Sequence, residues 1–160
     1  MYISAKVDYA VRAMCSLAQA GDRPLSADAI ARSQQLPAKY LEAILADLRR
    51  AGLVRSQRGA EGGYRLNRDP AAISIADIVR PLDGPLAEVR GLRPEAAGYE
   101  GSASALRDVW IAVRGALREV LEGVSVADIA SGQLPPPVTS RTADPDAWRP
   151  RPTRSGVPPA

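Results

Sequence analysis

Ala38, Lys39, Tyr40, Glu42 and Ala43 form a slim, partly charged group at the start of a stretch with helical spacing. The lysine can donate to an acceptor-rich edge or to a phosphate. The glutamate can accept from an amino group and repels phosphate, while the two alanines let a bulky partner come close. Further along, Arg58-Gly59 opens a loop that also holds Gly62 and Gly63, a backbone free to adopt positive φ and to approach another surface. Lys6, Arg55 and Arg65 add cations within the same first seventy residues. These groups can recognise a partner by charge and hydrogen bonding, and none of them is a reactive pair.

The rest of the chain is poor in catalytic parts. It has no His, and Cys15 is its single Cys. A zinc site of His and Cys, a Ser-His-Asp or Cys-His relay, a four-Cys iron–sulfur site and an intrachain disulfide all fall away together. No enzyme and no metal site are expected. Cys15 follows Met14 on the inner side of an amphipathic stretch, where a free thiol is commonly buried and inert rather than a redox switch. No apolar run approaches the roughly 18 residues of a membrane span. The start, Met1 to Lys6, lacks the layout of a signal peptide, so a cytoplasmic protein is the expectation.

The elements that must carry these residues follow from spacing. Val7, Val11, Met14 and Ala18 make one helical stripe between Ser4 as N-cap and Gly21 as stop. A second helix starts after Ser26, with Asp28 in its first turn and Ile30 inward. Gln34-Gln35-Leu36 connects it to a third helix opened by Pro37, with Leu41, Ile44, Leu45 and Leu48 on one apolar face and Gly52 at the end. Two short helices joined so closely predict a helix-turn-helix. The runs Leu53–Arg58 and Tyr64–Leu66 flank the glycine-rich loop and predict a β-hairpin, a wing in that position. Ser74 can cap a fourth helix bearing Ile75, Ile78, Val79 and Leu82. After an interrupted stretch, Leu106, Val109, Trp110, Val113, Leu117, Val120 and Leu121 recur by threes and fours along a long helix from about Ser102 to Glu122. Ser125 caps a last short helix.

With 46% hydrophobic residues but only 4% aromatic, the 160-residue chain must build its core from aliphatic side chains, a palette that favours helices. The predicted fold class is mainly α with a small β-hairpin wing. A winged helix-turn-helix domain spans 1–83, a loop 84–101, and a long helix plus a short terminal one 102–132. Residues 133–160 contain eight prolines and read as a disordered tail. Net charge is +3, distributed as +5 over 1–68, −4 over 69–132 and +2 over 133–160. A basic head on an acidic body suits a phosphate-rich partner.

Helix-turn-helix, wing and basic bias together point to double-stranded DNA, although a lone charge on a helix is usually only solvated. The slim start of the third helix can enter a major groove about 12 Å wide, with Lys39 reaching guanine and Glu42 cytosine. Arg58 and Gly59 can enter a narrow minor groove, and Lys6, Arg55 and Arg65 are candidate phosphate contacts. The alternative from the same residues is a winged-helix module that binds a protein and never touches DNA. Steep loss of binding with salt would separate the two.

The strings Lys6–Met14, Tyr40-Leu41-Glu42, Leu48–Val54 and Arg58–Leu66 resemble the Rrf-two family of winged helix-turn-helix regulators, which includes IscR, NsrR and CymR. The likeness continues more loosely to about residue 132. It implies a sequence-specific transcriptional regulator, a repressor in the first reading, that binds a pseudopalindromic operator as a homodimer. The long helix with its seven apolar residues would be the dimer interface, and Trp110 dimer core rather than a ligand cage. It also implies that Lys39, Glu42 and Ala43 read the major groove and that Arg58 enters the minor groove. Cluster-binding relatives place three Cys in the loop before the dimer helix. This chain has Val89, Leu92, Ser102 and Ser104 in that stretch, and Arg107 where some relatives have His. The expectation is a member without an iron–sulfur cluster and without an assigned cofactor, answering to an unassigned small-molecule or protein effector at the 84–103 loop.

Overall fold

The computed structural model describes residues 2–59 and 61–150. Among these residues seven α-helices and one hairpin follow in the order α1 (Ala5–Ala20), α2 (Ala27–Gln34), α3 (Ala38–Arg50), β1 (Val54–Gln57), β2 (Gly63–Leu66), α4 (Ile75–Asp83), α5 (Leu106–Leu121), α6 (Val126–Ser131) and α7 (Pro136–Thr142). The starts of α1, α2, α4 and α6 are set by serine. Ser4, Ser26, Ser74 and Ser125 each accept a backbone N–H three residues on at 3.1 Å. Asp77 and Asp128 return the favour to the cap N–H of Ser74 and Ser125, which completes two capping boxes. α3 differs: Pro37 takes the N-cap position rather than the first helical one, and no side chain caps the helix.

α1 is the centre of the packing, with α2, α3, α4 and α6 laid against it. Val7 and Met14 of its stripe are buried, and Val11 and Ala18 sit half-buried at the rim of the core. All four apolar residues of the α3 stripe, Leu41, Ile44, Leu45 and Leu48, are fully buried. No helix among the described residues is long and apolar enough to cross a membrane.

The hairpin is antiparallel, pairing Val54 with Leu66, Arg55 with Arg65, Ser56 with Tyr64 and Gln57 with Gly63. It is tied down at two places. Asn67 donates to the Leu53 carbonyl at 3.0 Å through its backbone and to the Gly52 carbonyl at 3.0 Å through its side chain. On the other edge Leu25 and Tyr64 exchange backbone hydrogen bonds of 3.0 and 2.8 Å, so the segment entering α2 acts as a third, one-residue strand. A second isolated bridge joins the two capped helix starts. Ile75 donates to the Val124 carbonyl at 3.0 Å and Val126 to the Ile73 carbonyl at 2.9 Å.

Two expectations need correction. The long helix begins at Leu106, not near Ser102, because Gly101–Ala103 forms a separate 3₁₀ turn with Gly101 at φ 58°. The proline-rich segment is ordered through residue 150. Pro136 and Pro137 fill the first turn of α7, where a missing N–H costs nothing. Val138 packs against the core, and Arg141 grips Glu119 of α5 with two hydrogen bonds of 2.7 and 3.3 Å. The remainder of the expected tail, 151–160, lies outside the described residues.

Candidate nucleic-acid interface

Burial of the α3 stripe turns the other side of that helix outward. Ala38, Lys39, Tyr40, Glu42 and Ala43 are all exposed, and Lys39 and Glu42 make no ion pair among the described residues. With no side-chain cap and no acid in its first turn, the N-terminus of α3 keeps its orphan N–H groups and partial positive charge open to an anion.

The turn before α3 is held from α1. Gln35 ends α2 in the left-handed region, at φ 54° and ψ 47°. Arg12 donates to the Gln34 carbonyl and, at 3.4 Å, to its side-chain oxygen, while Gln34 donates to Ser16 Oγ at 3.0 Å. The Arg12 guanidinium lies 5.9 Å from the centre of the Tyr9 ring, and that ring meets Tyr40 edge-on at 5.8 Å. Tyr40 is therefore braced on α1 while staying 43% exposed. Sequence reasoning missed Arg12, because a contact across 22 residues leaves no mark in local spacing.

Lys6, a candidate phosphate contact, has its ammonium engaged by Asp47 of α3 at 2.7 Å. Asp47 also accepts from Arg50. The Lys6 hydrogen bond, with the charges of Lys6 and Arg50, holds the Asp47 carboxyl below its ordinary value of 3.8, against a smaller desolvation effect that raises it. A carboxyl depressed by folding adds stability that is complete above its unfolded value and disappears as pH falls through the folded one. Asp47→Asn is accordingly expected to cut stability at neutral pH and to flatten its decline below about pH 4, as read by chemical denaturation across pH. Parallel curves for the two proteins would show that the pair contributes nothing.

Arg55 and Arg65 sit directly opposite each other in the hairpin, on one face. Arg65 donates to Gln57 Oε1 at 2.5 Å, and its buried Nε has no partner among the described residues. Like charges across a strand pair destabilise the sheet, so this face gains from an anion laid over it. Arg58 and Gly59 are exposed at the tip, and Gly59 has φ 111°. Behind them Arg49 of α3 donates to Ser56 Oγ at 3.2 Å, linking helix and wing. The α5 residues expected at a dimer interface divide. Leu106, Trp110, Leu117, Val120 and Leu121 are half-buried, whereas Val109 and Val113 are 50% and 43% exposed.

A bare-ended helix beneath a cationic hairpin defines a winged helix-turn-helix DNA-binding protein. The sequence profile of the Rrf2 family, described as an iron-dependent transcriptional regulator, matches residues 3–132. The chain belongs to that family and is a non-enzymatic DNA-binding regulator of transcription. It is 47% identical over 145 residues to the HTH-type transcriptional regulator Rv1287 of Mycobacterium tuberculosis, covering 90% of each chain. The structure of CymR, the global cysteine regulator of B. subtilis, matches with a TM-score of 0.71 at 39% identity, over 84% of this chain and 99% of that one. T. potens IscR matches with a TM-score of 0.66 at 38% identity, over 84% and 93%.

The donor set does not fit the iron that the family description implies, since no three His, Cys, Asp or Glu side chains gather into a metal site among the described residues. A cluster is held by thiolates, and the one thiol, Cys15, is half-buried on α1 and pushed up by desolvation, away from the thiolate form. The loop from 84 to 105 has no Cys and the chain no His.

Proposed function

We propose that the chain acts in the cytoplasm as a homodimer that represses transcription from a pseudopalindromic operator, without an iron–sulfur cluster. The open start of α3, exposed and unpaired beside a hairpin that sets Arg55 against Arg65, is the observation that carries this reading. Each subunit lays the start of α3 in a major groove, Lys39 and Glu42 meet base edges, and Arg58 reaches the adjacent minor groove. Arg55 and Arg65 fix the register through phosphates. The seven apolar residues of α5 fall within roughly 120° of its circumference. Val109 and Val113 on the open flank of that stripe supply the self-association surface.

Selection of genomic fragments by the purified protein, followed by titration against salt, tests the reading. Binding should fall steeply with salt as phosphate contacts are lost. Arg58→Ala is expected to weaken binding to a selected duplex roughly ten- to a hundredfold, the scale of about 1–3 kcal/mol for one good groove contact. Glu42→Ala should change the selected consensus more than the overall affinity. Equal affinity for every duplex and a flat salt response would favour the protein-binding alternative instead.

A further inference from the structure

The stretch between α4 and α5, which carries the unassigned signal in the reading above, is closely built. Arg90 and Gly91, at φ 54° and 74°, make a tight turn closed by reciprocal hydrogen bonds of 2.9 and 3.0 Å between Val89 and Leu92. The Arg90 guanidinium lies 5.5 Å from the centre of the Tyr99 ring. Pro94 and Ala97 are buried as the 3₁₀ turn Pro94–Ala96 packs on α5. This arrangement leaves a cavity of about 310 Å³ whose walls include Arg80 of α4, Leu86, Arg93 and Glu95 of the loop, and Arg114 and Arg118 of α5.

Its charge is out of step with its surroundings. Residues 69–132 are acidic overall and hold six arginines, yet four of those six line this one cavity against a single lining carboxylate. Arg114 is mostly shielded, with 16% of its side chain exposed, and pairs with Glu95. Arg80 pairs with Glu122 and stands 4.0 Å from Asp77; Arg118 is 3.7 Å from the same Glu122. Arg93 has no ion pair among the described residues. The two glutamates are about half exposed, so an incoming anion can displace or share them. Guanidinium groups present planar pairs of donors that match carboxylate and phosphate oxygens. The volume suits a small metabolite.

We infer that this cavity is a binding site for a small organic polyanion, a di- or tricarboxylate or a phosphorylated compound, held by Arg93, Arg114 and Arg118 together with Arg80. No lining residue belongs to α3 or to the hairpin, so the site is separate from the DNA-facing surface. Arg118 lies about half a turn around α5 from Val109, on the side of the helix turned away from that residue. A ligand held between α4 and α5 fixes the reading domain relative to the dimer helix, which makes it a regulator. That consequence rests on the proposed function; the binding itself does not.

The full chain, free of DNA, is titrated by calorimetry with citrate and, separately, with inorganic pyrophosphate at ionic strength held constant with chloride. Saturable binding of either probe at one site per chain is expected, and the preferred probe identifies carboxylate or phosphate as the ligand chemistry. Arg93→Ala combined with Arg118→Ala spares the Arg114–Glu95 and Arg80–Glu122 pairs, and should weaken binding at least tenfold with thermal unfolding retained. Arg58→Ala should leave it unchanged. No saturable heat from either probe at millimolar concentration, or equal affinity in the double variant, overturns the assignment. DNA titrations on the same samples separate the two readings, because anion binding without DNA binding would defeat the proposed function alone.

Discussion

Replacing Val109 and Val113 together with aspartate is expected to leave a folded chain that stays monomeric and binds its operator roughly 10²–10⁴-fold more weakly, the gain that two linked sites provide over one. The two valines are 50% and 43% exposed on a sixteen-residue helix that has no fully buried residue of its own. Helices with a strong apolar stripe and no buried position require a partner to cover it. Because both side chains already face water in the single chain, the substitutions cost little there. In a dimer seam they would place four carboxylates within an apolar stripe, and unpaired buried charge is not tolerated. Sedimentation gives the assembly state, thermal unfolding shows whether the chain still folds, and titration of a selected duplex gives the affinity. A variant that remains dimeric would remove α5 as the interface. A monomer with undiminished affinity would remove the requirement for two reading heads.

Gly63→Ala should destabilise the protein by on the order of 3 kcal/mol and detach the wing, combining backbone strain with two lost hydrogen bonds. Gly63 has φ 151°, and a Cβ there would come within 2.5 Å of the Leu25 carbonyl oxygen and 2.6 Å of its carbon. Both are backbone atoms, so no side chain can turn aside to make room. The hairpin must lift away from Leu25, which breaks the 3.0 and 2.8 Å pair between Leu25 and Tyr64. DNA affinity should fall with it, since Arg55, Arg58 and Arg65 all ride on that hairpin. Denaturant unfolding and duplex titration check the two halves. Unchanged stability would mean that the wing is not anchored through Leu25.

What could be read from the residues was local. Helix α3 follows from its stripe of three leucines and one isoleucine, which the fold buries completely, and the serine caps follow from their own chemistry. The hairpin follows from its glycines. Contacts between distant residues left no periodic mark: Lys6 with Asp47, Arg12 with Gln34, Leu25 with Tyr64. Composition misled at α7, where prolines that argue for disorder occupy the one turn of a helix that accepts them, and Arg141 finds Glu119 across the fold. The cationic cavity was invisible for the same reason, since its arginines come from three elements and only folding gathers them.

The short bridge between Ser74 and Ser125 makes the protein a ruler. Since the start of α6 pairs with the start of α4 through two backbone bonds, the C-terminal end of α5 is pinned to the body that carries α3 and cannot leave it without breaking both. In the proposed dimer the distance between the two reading helices is then a property of the fold rather than of the DNA. An operator lengthened at its centre by about five base pairs, half a turn of the duplex, would present its second half-site on the far side, beyond reach.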